Sequence, residues 1–280
     1  MSVSVDVINQ QPRVERYFDQ VAAEWRELYR GTGLRSEVFS LRQATALSWI
    51  AAHVDLRGAK VLDAGCGAGP ETIAMASRGA RVTAFDAVER MVNLTRDAAH
   101  EAGVTDLVET HVGDVHELPL EDNTYDAAVA LGLIYWLHSP EKALAEIYRV
   151  LKPGGYLAVS ADNALRLTSC SDPWNSRVAI AARRAVGNAL QSLGLRNRPE
   201  EVKLNRYSPD SFDRLVAAAG FEKITSKTIG FGPFSWFGQK PIPESTGLTL
   251  HRLLQRWADQ GHRFLSGRGN HYVVLAQKSY

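Results

Sequence analysis

Between residues 60 and 162 the chain alternates short apolar runs with stretches whose apolar residues recur every three or four positions. The runs KVLDAG (60–65), RVTAFD (81–86), DLVETHVGD (106–114), YDAAVALGL (125–133) and YLAVSAD (156–162) predict strands. Helices are expected over 69–79, 89–103 and 139–155, ended by Gly79, by Gly103 and by Pro153-Gly154-Gly155. Ser139 occupies a cap position with Pro140 in the first turn. The fourth run is almost unbroken, as expected of a parallel strand covered on both faces. Strict alternation predicts an α/β fold, a doubly wound parallel sheet with ligands beyond the carboxyl ends of its strands.

The flanking segments decorate that core. Helical periodicity covers 12–30 and 37–54 before the first strand. An insertion over 163–206 contains the helical pattern RVAIAARRAVGNALQSLG. A helix follows over 207–221, with Ser208 as cap and Gly220 as stop, and closing strands are expected over 221–230 and 270–279. Between those strands lie GFGPFSWFGQKPIPE and a helix, TGLTLHRLLQRWADQG. The organisation is N-terminal helices (1–58), a ligand-binding core (59–162), a cap insertion (163–206) and a C-terminal part (207–280) whose aromatic loop and cap helix span 231–268.

Composition adds exclusions. The 280 residues are 45% hydrophobic and 22% charged, with a formal net charge of +1. That balance gives no global field for nucleic acid or an anionic membrane. The most apolar run, 127–137, is too short to span a bilayer, and the N-terminus lacks the apolar core of a signal peptide. Two cysteines, Cys66 and Cys170, make neither a disulfide framework nor a zinc spacing, so a cytoplasmic setting and no bound metal are expected.

The densest chemical signal is VLDAGCGAGPET, 61–72, at the first strand-to-helix turn. A P-loop would need GxxxxGK[ST], which is absent. A dinucleotide fingerprint would need a third glycine where Pro70 stands, and Asp63 would repel a pyrophosphate. An acid there suits a ligand with a cationic end, such as an α-amino group. Cys66 lies near a helix N-terminus, but small residues suit this slot, and it reads as a packing residue whose backbone meets the ligand.

DAGCGAGP resembles motif I, (D/E)xGxGxG, of the class I S-adenosylmethionine (SAM)-dependent methyltransferases. Asp86 ends the second strand, like the family acid that accepts both ribose hydroxyls. GDVHELPLEDNTYDAAVA resembles the family's GDAxxLPFxDxxFD, and RVLKPGGYLAVS its R-x-LKPGG signature. RYFDQVAAEWRELY resembles the N-terminal helix of the ubiquinone/menaquinone-biosynthesis type of small-molecule methyltransferase. The resemblance implies a Rossmann-like, seven-stranded sheet, mostly parallel with its last strand antiparallel, with helices on both faces and a helical cap. It implies SAM as cofactor, with S-adenosylhomocysteine (SAH) as product, held by Asp63, Ala64, Gly65, Cys66 and Gly67, by Asp86, Ala87 and Met91, by Gly113, Asp114 and Val115, and by Leu131. Tyr17, Trp25 and Tyr29 would line the methionine end.

Where relatives carry a His pair after the fourth strand, this chain has Tyr135-Trp136, with His138 shifted beyond. Tyr135 and His138 are the candidate catalytic groups. Tyr135, Trp136, Phe234 and Trp236 are the candidates for acceptor binding. Asp162 ends the fifth strand, where it either reaches the acceptor side or caps a helix. The insertion's arginines (Arg166, Arg177, Arg183, Arg184, Arg196, Arg198) either attract an anionic acceptor or form a solvated face. The expected activity is methyl transfer to O, N or C of a small, partly apolar metabolite by in-line displacement. The rivals are non-methylating chemistry on the same fold and, behind it, a nicotinamide-dependent oxidoreductase. Nucleic acid is not expected as a partner, and the chain acts as monomer or dimer.

Overall fold

The computed structural model describes residues 11–168, 172–175, 177–192, 204–237, 239 and 241–280. Cys170, Arg196 and Arg198 lie outside them. Helices α1 (Gln11–Arg30) and α2 (Leu34–Ala51) precede the core. Then come β1 (Lys60–Ala64), α3 (Pro70–Ala76), β2 (Arg81–Asp86), α4 (Glu89–Glu101), β3 (Val108–Val112), β4 (Tyr125–Ala130), α5 (Pro140–Val150) and β5 (Leu151–Asn163). After the insertion helix α6 (Arg177–Ser192) follow β6 (Arg206–Tyr207), α7 (Pro209–Ala218), β7 (Phe221–Ile229), α8 (Glu244–Asp259) and β8 (His271–Lys278).

The sheet order is β3-β2-β1-β4-β5-β8-β7, with β6 paired to β5. β8 runs antiparallel to both neighbours, and the other ladders are parallel. The seven-stranded sheet with its antiparallel last strand is therefore present, extended by the two-residue β6. The apolar runs fill both faces. On one face Leu62, Ala128 and Leu157 pack with Leu144 and Ile147 of α5 and Phe212 of α7. On the other, Val61, Val129 and Ala158 pack with Leu47 and Ile50 of α2 and Met75 of α3. Burying such side chains contributes about 1.5–3 kcal/mol each, so the alternating pattern fixes which elements face each other.

Two expectations need correction. Lys152-Pro153-Gly154-Gly155 does not end the helix over 139–155; it lies inside β5, which begins at Leu151. The register shifts between Tyr125 and Ala127 opposite this segment, and Gly154 takes φ 78°. A Cβ on Gly155 would meet the Lys152 carbonyl at 2.9 Å. The glycines thus serve a bulge within a strand. Ser139 does occupy the cap position of α5, but its side chain makes no cap bond. Ser208 behaves as expected, accepting from the Ser211 amide. No helix among the described residues is long and apolar enough to cross a membrane.

Candidate functional site

Strands β1, β2, β3 and β4 end at one cavity that takes in about 930 Å³ of empty space, open water at its mouth included. Its floor is the β1–α3 turn. Gly65, Gly67 and Gly69 have φ of 78°, 55° and 85°, a region that favours glycine. Gly65 and Cys66 donate their amides to the Phe85 carbonyl at 2.8 and 2.9 Å, which ties the turn to the end of β2. A Cβ on Gly67 would find nothing within 4 Å. The backbone there is bare toward the cavity, as a close ligand approach requires.

Asp86 ends β2 and lines the cavity. Its Oδ2 accepts from the Gly67 amide and its Oδ1 from the Val88 amide, both at 2.9 Å. Each oxygen keeps acceptor capacity for a hydroxyl. Burial raises its pKa against those two bonds. Ala87, Met91, Gly113, Asp114, Val115 and Leu131 reach the same cavity. Asp114 accepts from the His116 amide at 2.9 Å and from His116 Nδ1 at 2.5 Å. Those bonds hold its carboxyl below the usual range against a desolvation penalty.

Other expected residues are placed elsewhere. Asp63 is 2% exposed and lies outside the cavity wall, as does Ala64. Asp63 Oδ2 takes the Thr72 hydroxyl at 2.5 Å, and burial pushes the carboxyl up. Cys66 lines the cavity, but burial and then the Asp86 and Asp63 charges push its thiol well up, so it is no nucleophile.

Helix α1 roofs the cavity with one face. Val14, Phe18, Trp25 and Tyr29 line it. Tyr17 does not: it is 40% exposed and stacks on Trp136 from outside, with ring centroids 5.6 Å apart. The helical period explains this, because 14, 18, 22, 25 and 29 share a face that 17 leaves. The spacing was legible in the sequence and pointed to Phe18.

Tyr135 and Trp136 line the cavity from the turn after β4. Burial raises the Tyr135 phenol, which stays protonated and can donate rather than act as a base. His138 is not in the wall. Its ring packs on His116, with centroids 4.0 Å apart, and its Nδ1 lies 3.5 Å from Gln11 Oε1. Phe234 and Trp236 are also absent from the wall. Phe234 packs with Phe231, Leu254 and Leu265 beneath α8, and Trp236 is 55% exposed. Asp172 holds the loop tip onto the insertion, accepting from the Ser235 hydroxyl at 2.7 Å and the Phe237 amide at 2.8 Å. Among the described residues Asp162 pairs with Arg166 at 3.0 Å and Arg206 at 2.9 Å. Arg183 lies over the Trp174 ring at 4.6 Å.

The sequence reading missed a polar group at the cavity wall formed by Arg42 of α2 and Glu71 of α3. Arg42 is 1% exposed, donates Nη2 to the Tyr29 hydroxyl at 2.9 Å and lies 4.6 Å from the Phe39 ring centroid. The available signal was its position: Arg42 shares the buried stripe of α2 with Val38, Phe39 and Ala46. An arginine on an apolar stripe needs a partner.

With this geometry in view, residues 62–159 match the family described as Methyltransferase domain. That match spans the core of the sheet from β1 to β5. A ubiquinone biosynthesis O-methyltransferase of Xanthomonas oryzae is 36% identical over 118 residues, 42% of this chain and 48% of that protein. A SAM-dependent Diels-Alderase of Talaromyces variabilis is 30% identical over 186 residues, 65% of this chain and 59% of that protein. The solved magnesium protoporphyrin IX methyltransferase of Synechocystis, with SAH bound, superposes with a TM-score of 0.63 at 17% identity, covering 97% of this chain and all of that one. That likeness shows the shared fold. The chain spans less than half the length of the first curated relatives it matches, from 22 to 48%.

Proposed function

We propose that the protein binds SAM in this cavity and transfers its methyl group to a small, partly apolar organic acceptor. One observation carries the reading: the ends of β1 to β4 bring Gly65, Gly67, Asp86, Asp114 and Leu131 to one cavity. Asp86 would accept the ribose hydroxyls with the capacity its backbone bonds leave free. Asp114 and the Val115 amide would meet the adenine edge, with Met91 against its face. When bound, SAM supplies an activated methyl on a sulfonium centre. The chain's contribution is orientation and exclusion of water. Phe18, Trp25 and Trp136 form the dry wall, and Tyr135 offers a hydrogen bond to the acceptor. Among the described residues that line the cavity there is no imidazole. The reading therefore favours an acceptor that needs no histidine base. A cytoplasmic setting belongs to the same proposal, supported by the buried free thiol of Cys66.

Incubation with SAM and a metabolite panel tests it, read by mass spectrometry. A product one methyl group heavier, formed together with SAH, is expected. A shift in melting temperature with NADPH and none with SAM would instead favour an oxidoreductase. The Talaromyces relative favours a second reading, in which SAM is bound without methyl transfer. SAH-stabilised protein that methylates nothing on the panel would support that one.

A further inference from the structure

The aromatic loop tip that stands apart from the cavity is held out in solvent. Trp236 and Phe237 are 55% and 54% exposed, their rings edge to face with centroids 5.6 Å apart. Trp174, 41% exposed, belongs to the same patch, because one buried carboxylate holds both segments. Asp172 Oδ1 accepts from the Trp174 amide at 2.9 Å and from the Phe237 amide at 2.8 Å. Phe237 takes φ 49°, a region that disfavours a bulky side chain. The fold thus bears backbone strain and a buried charge to keep large rings at the surface. A single exposed ring is ordinary. Rings from two remote segments, fixed side by side, mark a docking surface.

Charge selects the partner. Between 163 and 199 the sequence has six arginines and a single acid, Asp172, although the whole chain is near neutral at +1. Asp172 is buried beneath the patch, and the loop over 230–243 contains no acid. Arg183 of α6 lies over the Trp174 ring and donates to the Trp174 carbonyl at 2.9 Å, so positive charge and aromatic surface are contiguous. Val186, one turn further along α6, is exposed. A second copy of the chain docked here would bring like charges together. Nucleic acid would engage the arginines, but an edge-to-face ring pair is no stacking platform and Val186 would gain nothing. An anionic bilayer matches both features, with phosphates for the arginines and an interfacial layer for Trp and Phe. We propose that the cap docks on an anionic lipid bilayer, Trp236 and Phe237 entering the headgroup layer and the insertion's arginines facing lipid phosphates. The insertion is tied to the cavity wall. Asn205 donates its amide to the Tyr135 carbonyl at 2.8 Å and its side chain to the Leu137 carbonyl at 2.7 Å. A partly apolar acceptor partitions into the same surface, yet the docking stands independently of the cofactor.

Vesicle co-sedimentation tests the docking, with vesicles of phosphatidylcholine alone and of phosphatidylglycerol and phosphatidylcholine in equal parts. Parent protein should bind the anionic vesicles at least tenfold more tightly than the neutral ones. Raising salt from about 0.1 M to about 1 M, which shortens the Debye length to about 3 Å, should weaken that binding at least tenfold. The double variant Trp236→Ser with Phe237→Ser should keep the parent's melting temperature and lose at least tenfold in vesicle affinity. Its SAH binding should match the parent's, since neither residue lines the cavity. If the variant does not fold, quenching of the parent's tryptophan fluorescence by brominated acyl chains in anionic vesicles takes its place. Equal affinity for the two vesicles, no binding or quenching, or undiminished binding by the folded variant overturns the proposal. Two other outcomes also overturn it. A dimer in light scattering that the variant loses, without vesicle binding, assigns the patch to a second copy. Binding of a single-stranded oligonucleotide, without vesicle binding, assigns it to nucleic acid.

Discussion

The Thr72 hydroxyl donates to Asp63 Oδ2 at 2.5 Å, across the turn that joins β1 to α3. The motif's acid is thereby a structural partner of the helix that follows it. Burial, then the charge of Glu71, raises its pKa above the usual 3.8. The sign follows. Asp63 holds its proton more tightly folded than unfolded, so its contribution is full below about pH 3.8 and is lost as pH rises through the folded value. Asp63→Asn keeps an acceptor for Thr72 and removes the charge. It should raise the melting temperature at pH 8 more than at pH 5. A melting temperature lowered at pH 8 and unchanged at pH 5 would contradict this assignment.

His271 begins β8 and is buried, with its ring edge on Phe39. Burial, with Arg42 and Arg166 adding repulsion, lowers its pKa to about 3. The imidazole is neutral in the fold and protonates in the unfolded chain below pH 6.5. Stability should fall as pH drops from there toward 3, by up to about 1.4 kcal/mol per pH unit. His271→Gln should flatten that slope in urea unfolding between pH 6.5 and 5. An unchanged slope would show that His271 is charged in the native protein.

The glycine turn separates stability from binding. A Cβ on Gly69 would meet Thr95, backbone included, at 3.0 Å, whereas one on Gly67 meets nothing within 4 Å. Both have positive φ. Gly69→Ala should cost strain plus a clash, roughly 2–3 kcal/mol, and Gly67→Ala only the strain of about 1–2 kcal/mol. Gly67→Ala should instead lose SAH affinity, because its methyl enters the cavity. Equal unfolding midpoints for the two variants would contradict the geometry.

Phe18 and Tyr17 are neighbours with opposite roles. Phe18 lines the cavity, and Tyr17 faces out. Phe18→Ala should weaken SAH binding by about tenfold, the scale of one buried aromatic contact, or about 1.4 kcal/mol. Tyr17→Ala should change it less than twofold. The reverse order in calorimetry would place the other face of α1 against the cavity.

The alternation of apolar runs made the sheet legible, because a strand covered on both faces has few other ways to read. The glycine turn, Asp86 and Asp114 were legible too, since backbone approach and strand ends constrain residue type. What escaped the sequence depends on long-range packing. Arg42 and Glu71 are 29 positions apart, and only the docking of α2 beside α3 brings them together. The aromatic loop misled for a related reason. Its rings are conspicuous locally, but Asp172, far away in the chain, sets where the loop tip lies. His138 was placed by its order after β4, whereas its ring is set by His116.

The central claim is that this cavity holds SAM with Asp86 on the ribose. Titration calorimetry of SAH into parent protein and Asp86→Ala tests it most directly. Saturable one-to-one binding to the parent is expected, weakened in the variant by roughly 1–3 kcal/mol, the cost of unpairing buried hydroxyls. Equal affinity for both proteins, or no binding to the parent, would contradict it.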